Sequence, residues 1–283
     1  MKRPDDSSDR DNAAHATGVD PLAPYKETLQ ACFPDPEEIF ARAERRKRLR
    51  KKVGRAGAIG LVAAAIGLWN PVYDTQRLAT TIGERQPFEL RDGSRVMLNT
   101  DSAVRVAWRL FSRELRLQRG EASFDVAHGV RSFVVDAGPM RVRDIGTRFS
   151  VRIAQDGATV AVLDGSVEVD GRGQRIVLAK DQAVDATSAG LAPVRTIDAG
   201  LVGAWQRGKL IFDGAPLLQV VAELQRYRRA PIAIDGAGIG ALRLSGEFDS
   251  SRVETLLDLL PTILPVAVIR DADDRAVIRA QKN

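Results

Sequence analysis

The feature that most constrains this fold is a long series of short apolar and polar alternations between Ile82 and about Pro193. The runs Val104-Arg105-Val106-Ala107-Trp108 and Phe149-Ser150-Val151-Arg152-Ile153 are typical of it. A period of two residues buries one face of a strand and leaves the other face in water. Glycine-containing turns interrupt the pattern about every ten residues, a spacing that favours all-β architectures. We therefore predict a mainly β fold, with an all-β domain at residues 78–195 built as a sandwich or a stacked solenoid.

An uncharged apolar stretch precedes this domain, from Ala56 to Tyr73. As a helix it would span roughly 27 Å, close to the hydrocarbon thickness of a bilayer. The basic run from Arg45 to Lys52, which lies before it, favours a cytoplasmic N-terminal side. We predict a single transmembrane helix at residues 53–73, and a cleaved signal peptide or a buried core helix are the alternatives. The residues assigned to the membrane are Ala56, Gly60, Leu61, Ala64, Ile66, Leu68 and Trp69.

The N-terminal part divides into two segments. Residues 1–20 are polar with hardly any large apolar side chain, a composition typical of a disordered tail. Residues 21–52 are predicted to form a short cytoplasmic helical segment. Its apolar side chains offer a candidate partner-binding surface, for which we name Leu29, Phe33 and Phe40.

The pattern changes again after about residue 203, where helical and strand-like runs alternate. Leu217, Val220, Val221 and Leu224 fall on one face of a helix, and Ser251 to Glu254 reads as a capping box for a second helix. The order β-α-β-β-α-β-β over residues 203–280 predicts a small α+β domain with two helices on one sheet face.

The sequence predicts no catalysis. The chain has one cysteine, Cys32, and two histidines, and it carries neither a phosphate-binding loop nor a nucleophile elbow. The acidic turn from Asp271 to Asp274 lacks the glycine and terminal glutamate of a calcium loop, so we interpret it as a solvated hairpin. We therefore expect no enzyme activity, no cofactor and no metal site. We also expect no nucleic-acid binding, because the basic run borders the predicted membrane segment.

Several blocks between Thr81 and Ser166 resemble the FecR family, in order. They are Thr81-Ile82-Gly83-Glu84-Arg85, Leu90-Arg91-Asp92-Gly93-Ser94, Leu117-Gln118-Arg119-Gly120-Glu121, Ile145-Gly146-Thr147-Arg148-Phe149 and Val162-Leu163-Asp164-Gly165-Ser166. The glycines among them are expected at turns that need positive φ. The segment from Trp205 to Phe248 is similar to the segment after the FecR domain in that family, and to the signalling domain of secretins and TonB-dependent receptors.

This resemblance implies a single-pass signal transducer in the inner membrane of a Gram-negative bacterium, with a periplasmic C-terminal region. Such a sigma-factor regulator, or anti-sigma factor, would relay the state of an outer-membrane TonB-dependent receptor to an extracytoplasmic-function sigma factor and control metal or siderophore uptake genes. Regulatory proteases are further partners that the resemblance implies. Receptor binding by strand addition points to Leu242, Leu244 and Phe248 as the edge or its support. The alternative function is a membrane-anchored periplasmic scaffold of a secretion or envelope assembly.

Overall fold

The computed structural model describes residues 25, 36–236 and 238–281. The chain forms two compact units, residues 1–68 and residues 69–283. Helix α1 (Pro36–Trp69) carries the basic run in its first half and the apolar stretch in its second half. It ends at Trp69, and Val72 and Tyr73 already belong to the first strand, so the helix predicted for residues 53–73 is shorter at its C-terminal end.

Most of the predicted membrane and partner residues of the N-terminal part belong to α1. Gly60, Leu61, Ala64, Ile66 and Trp69 lie exposed on this helix. Ala56 and Leu68 also belong to it. Phe40 is exposed on its first half, whereas Leu29, Phe33 and the predicted tail at residues 1–20 lie outside the described residues. Within the part of the chain that the structure describes, no helix combines the length and the apolar character needed to cross a membrane.

The strands after α1 are short and closely spaced, as the alternating pattern predicts. They are β1 (Val72–Ala79), β2 (Gln86–Glu89), β3 (Arg95–Leu98), β4 (Ala103–Arg109), β5 (Ser112–Arg119), β6 (Glu121–Asp125), β7 (Ser132–Ala137), β8 (Met140–Asp144), β9 (Arg148–Ala154), β10 (Gly157–Asp164), β11 (Ser166–Gly171), β12 (Gln174–Ala179), β13 (Gln182–Thr187), β14 (Gly190–Leu191) and β15 (Arg195–Thr196).

These strands form two sheets. Sheet one has the order β1-β4-β5-β7-β8-β11-β12, and sheet two has the order β14-β13-β10-β9-β6-β3-β2, with β15 beside β13. Neighbouring strands run antiparallel except β5 and β7, which are parallel with Ser112 opposite Ser132. The chain passes from one sheet to the other after every one or two strands, so each sheet is built from separated pieces of sequence.

The two sheets share one hydrophobic core. Phe124 and Phe149 of sheet two lie with ring centroids 5.2 Å apart, and Phe133 of sheet one packs 5.9 Å from Phe124. All three rings are fully buried. Such packing between the inner faces of two sheets is the sandwich arrangement. The alternation therefore predicted the all-β character of this region, and the structure selects the sandwich over the solenoid.

The turns explain why glycine recurs. Gly83, Gly93, Gly120 and Gly165 all have φ near +80°, as expected for turn glycines. Gly120 has a second constraint, since a Cβ there would lie 2.6 Å from the Cα of Ser102.

The C-terminal part continues the same compact unit. A short helix, α2 (Ala199–Val202), begins at Asp198, whose side chain accepts hydrogen bonds from the amides of Gly200 and Leu201. The remaining elements are β16 (Lys209–Pro216), α3 (Leu217–Gln225), β17 (Ile232–Asp235), β18 (Arg243–Asp249), α4 (Val253–Ile263), β19 (Val266–Arg270) and β20 (Ala276–Ala280). This is the predicted element order.

The prediction of one sheet was wrong. β16 pairs with β18 in one small sheet, and β17, β20 and β19 form another. Both sheets and both longer helices contribute to one core, in which Leu217, Val220, Val221 and Leu224 of α3 are buried as predicted. The predicted capping box is also absent, because the Ser251 hydroxyl donates to Asp249 and Arg252 occupies the N-cap.

Candidate functional site

The β16–β18 sheet carries the residues predicted to bind a partner. Leu244 of β18 is fully buried in the C-terminal core, and Leu242 and Phe248 are partly buried against it. The rings of Phe248 and Phe212 lie 6.1 Å apart. Leu244 therefore supports the strand from inside, whereas the side chains of Leu242 and Phe248 remain partly exposed.

One edge of β18 is open within the described residues, where the strand pairs with β16 alone. The amide of Ser250 donates to the carbonyl of Gly208, and the amide of Leu217 donates to the carbonyl of Leu242. Because hydrogen-bonding direction alternates along an antiparallel strand, Glu247 turns its backbone groups away from β16. Its exposed side chain pairs with Lys209 at 3.1 Å, so the open edge carries charges on its solvent face.

The opposite edge of this sheet borders a groove that the sequence did not reveal. The groove has a volume of about 560 Å³ and follows β16 along its whole length. α3 forms one wall with Gln219, Ala222 and Glu223, and the sandwich contributes Glu121 and Arg152. The sheet thus offers two different strand edges, one exposed and one recessed.

An ion-pair cluster joins the C-terminal elements to the sandwich next to this groove. The Arg226 guanidinium donates to Glu121 of β6 at 2.8 Å and to Glu223 of α3 at 2.6 Å. Glu223 in turn accepts a hydrogen bond from Arg152 of β9 at 2.8 Å. Burial disfavours the charge on Arg226, but the carboxylates of Glu121 and Glu223 outweigh it and raise the pKa of the guanidinium.

Tyr227 extends this junction. Its hydroxyl donates to the side-chain oxygen of Asn99 at 3.0 Å, and Asn99 donates to the Glu121 carboxylate at 2.8 Å. Burial, with the charge of Glu223 nearby, raises the pKa of Tyr227 to about 12. The Thr100 hydroxyl also donates to the carbonyl of Arg226 at 2.8 Å. We call Asn99, Thr100, Glu121, Arg152, Glu223, Arg226 and Tyr227 the junction.

A second buried arginine, Arg228, holds the C-terminal elements together. It donates to Glu254 of α4 at 2.6 Å and lies 2.9 Å from a carboxylate oxygen of Asp274 in the β19–β20 turn. It also donates to the carbonyl of Ala230 at 2.8 Å. The sequence predicted a solvated hairpin at Asp271 to Asp274. The segment is a hairpin turn, and its Asp274 carboxylate pairs with the buried Arg228 guanidinium.

The described residues hold no cluster of histidine, cysteine and carboxylate side chains with metal-binding geometry. His128 lies in the loop before β7.

Sequence reasoning missed the junction because its members lie far apart in the chain. Glu121 and Arg226 are separated by 105 positions, and neither position shows an unusual local pattern. The FecR resemblance includes Glu121 in one block and Arg226 in the segment from Trp205 to Phe248, but it does not pair the two residues.

Comparison with known proteins gives a family match for part of the chain and two structures of similar fold. Residues 76–168 match the family model described as FecR protein. Two crystal structures of candidate anti-sigma factors from Parabacteroides distasonis ATCC 8503, at 2.50 Å and 1.65 Å resolution, are similar in fold. The first has a TM-score of 0.63 and 24% identity, covering 74% of this chain and 100% of its own. The second has a TM-score of 0.64 and 24% identity, covering 73% of this chain and 100% of its own.

A search of curated proteins finds no match. The family match lies in the sandwich and includes most of the blocks on which the sequence resemblance depended. The resemblance to the FecR family is therefore confirmed for residues 76–168, the part of the chain that matches the family model.

Proposed function

We propose that this chain is a membrane-attached sigma-factor regulator whose C-terminal elements receive a signal from a partner protein. The observation that carries the proposal is the FecR domain at residues 76–168. The fold likeness to candidate anti-sigma factors supports the same role.

The proposed input is the signalling domain of an outer-membrane TonB-dependent receptor, bound by strand addition at β18. Unpaired backbone groups on an exposed strand edge are ready partners for another strand. Glu247 is the best position for a test because its side chain is exposed and its backbone faces away from β16. Proline there removes one outward N–H group, and it is tolerated best on edge strands.

Glu247→Pro should abolish receptor-dependent transcription while the protein stays folded and abundant. Glu247→Ala is the matched control, since it removes the Lys209 ion pair but keeps the N–H group. Ile211→Pro tests the recessed edge of β16 in the same way. Normal induction by Glu247→Pro together with lost induction by Ile211→Pro would move the site from β18 to the groove.

The proposed output is an extracytoplasmic-function sigma factor bound by the segment before residue 55. A two-hybrid test of residues 1–55 against the host's alternative sigma factors measures this directly. Leu29→Asp and Phe33→Asp are expected to abolish the interaction, because apolar anchors dominate such helix-mediated contacts. If no sigma factor is recovered, a membrane-anchored envelope scaffold becomes the better proposal.

The membrane placement is part of this proposal. It rests on the uncharged stretch from Ala56 to Tyr73 and on the basic run that precedes it, a charge distribution typical of a cytoplasmic flank. Alkaline phosphatase fused after Asn283 should be active in cells if the inner membrane holds α1 and the C-terminal region lies in the periplasm. An inactive fusion in an intact, abundant protein would place the FecR domain in the cytosol and remove the proposed relay.

A further inference from the structure

One end of the sandwich exposes apolar side chains that the core does not use. β1 begins there with Val72 opposite Arg109 of β4, and the next turn places Leu110 and Phe111 at the same end. Because Ser112 of β5 lies beside Ser132 of β7, the loop before β7 ends there too.

The strand register brings a further turn to this end. Val134 of β7 lies opposite Arg143 of β8, which places the β8–β9 turn next to the start of β7. The large apolar side chains exposed at this end, which we call the Trp69 end, are Trp69, Val72, Tyr73, Leu110, Phe111, Val130 and Ile145. Trp69 is 82% exposed, Phe111 57% and Ile145 55%, and Val130 is fully exposed.

The opposite end of sheet one is different. There the turns are formed by Asp101, Gly120, Gly138 and the pair Arg172-Gly173, and Ile82 is the large apolar residue exposed nearby. That end also carries the junction with the C-terminal elements. The apolar side chains are therefore concentrated at one end and are not a general property of the surface.

Hydrogen bonds fix the Trp69 end to the chain as it leaves α1. Asn70 donates to the Ser112 hydroxyl at 2.9 Å and accepts from the amide of Phe111 at 3.0 Å. Arg109 donates to the carbonyl of Asn70 at 2.9 Å. The turn with Phe111 is thus held next to the residue that comes directly after α1.

Polar groups at this end suit lipid headgroups. Arg131 donates to the Tyr73 hydroxyl at 2.9 Å, which pairs a cation with an amphipathic ring. A cleft of about 340 Å³ opens between Tyr73, Val130 and Arg131. Phosphate oxygens of lipids accept charge-assisted hydrogen bonds from a guanidinium such as that of Arg131.

We propose that the Trp69 end rests on a lipid bilayer, with Phe111, Val130 and Trp69 at the headgroup level. Aromatic rings and arginines that are apolar at one side and polar at the other favour this interface. The Trp69 end follows the apolar half of α1 directly in the chain. Membrane attachment of that half therefore brings this end close to a bilayer, which makes a bilayer the expected partner of the surface. The inference rests on the proposed membrane attachment and adds an orientation, in which the β16–β18 sheet points away from the lipid.

Fluorescent labelling of the full chain tests this surface. Since Cys32 is the one cysteine of the sequence, Cys32→Ser gives a background for single-cysteine variants. Phe111→Cys, labelled with an environment-sensitive nitrobenzoxadiazole dye, is reconstituted in phosphatidylcholine and phosphatidylglycerol vesicles. Leu218→Cys on α3 is the matched control, with a comparable exposure of 64% and a place in the C-terminal elements. Leu61→Cys reports attachment of α1 independently.

The dye at Phe111 is expected to brighten several-fold with vesicles and to be quenched by headgroup-labelled nitroxide lipid, while the dye at Leu218 stays unchanged. A lipid signal at Leu61 without one at Phe111 overturns the orientation and leaves attachment standing. The absence of a lipid signal at both Leu61 and Phe111 overturns the attachment and the orientation together. A Phe111 signal that depends on protein concentration and not on lipid identifies a second copy of the chain as the occupant, which also overturns the proposal.

Discussion

Replacing Arg226 by methionine should destabilise the protein strongly through the junction. The guanidinium is 17% exposed and the Glu121 carboxylate 8% exposed, so both charges are largely removed from water. Methionine keeps most of the aliphatic volume but leaves Glu121 with the neutral Asn99 amide as its partner among the described residues. Glu223 keeps its ion pair with Arg152, so most of the cost falls on Glu121.

Breaking one side of a buried pair costs about 3 to 5 kcal/mol, because it leaves a buried charge uncompensated. Since Glu121 keeps one hydrogen bond, we expect Arg226→Met to lower the free energy of unfolding by about 3 kcal/mol. Adding Glu121→Gln removes the stranded charge, and the double variant should recover more than half of that loss. The coupling energy of this cycle is expected at about 2 kcal/mol.

Urea unfolding of the full chain, followed by tryptophan fluorescence and circular dichroism, measures these free energies. Arg175→Met is the matched control, because Arg175 is 62% exposed and pairs with Asp170 and Glu168 on the surface. Exposed pairs of this kind are worth at most about 1 kcal/mol. The role given to the junction would be refuted if Arg226→Met and Arg175→Met lost the same free energy of unfolding. It would also be refuted if the losses of Arg226→Met and Glu121→Gln were additive in the double variant.

Three further predictions concern other parts of the fold. Because the pKa of Tyr227 is raised to about 12, its stabilising contribution is complete below about pH 10 and is lost as pH rises. Urea unfolding from pH 9 to 12 should therefore show a fall in the free energy of unfolding, and Tyr227→Phe should remove up to about 2 kcal/mol of that fall. Burial opposes ionisation of Asp92, but hydrogen bonds from arginine and serine outweigh it and lower the pKa; this stabilisation is present above about pH 4 and lost below it, so thermal unfolding of Asp92→Asn should depend less on acid. Gly120→Ala should lower the free energy of unfolding by about 3 kcal/mol and Gly138→Ala by at most about 1 kcal/mol, because only the first adds a Cβ clash to its positive φ. Similar melting temperatures for the two variants would contradict this.

The sequence predicted the local features of this fold well. The four apolar residues on one face of α3 are buried because a helical period places them there whatever the partner. The turn glycines follow the same logic, since positive φ is a property of one residue. Sheet membership is different, because β4 and β6 alternate in the same way yet lie in opposite sheets. Pairing depends on contacts between distant segments, which a period of two does not encode.

The sequence-based prediction failed mainly for arginines that are buried in the structure. A period of two residues places polar side chains on the solvated face of a strand, yet Arg113 of β5 is 4% exposed and pairs with Asp92. Arg226 and Arg228 are likewise largely buried. A charged residue in the interior needs partners that converge from several elements, and such convergence exists only in the folded chain. Of the predicted binding residues, Leu244 and Phe248 lie on β18 and Leu242 directly precedes it. Whether a partner binds there stays a prediction.

The junction determines how a signal at the β16–β18 sheet can act. The segment between the sandwich and β16 is ordered by the Asp198 cap and by Trp205, whose carbonyl accepts a hydrogen bond from Arg85 at 3.1 Å. Together with the buried pair of Arg226 and Glu121, these contacts oppose hinge motion between the two parts. A partner strand that binds this sheet would therefore displace the sandwich and the C-terminal elements as one body. Under the proposed function, variants that loosen the junction, such as Arg226→Met, should then weaken receptor-dependent transcription even where the sheet still binds its partner.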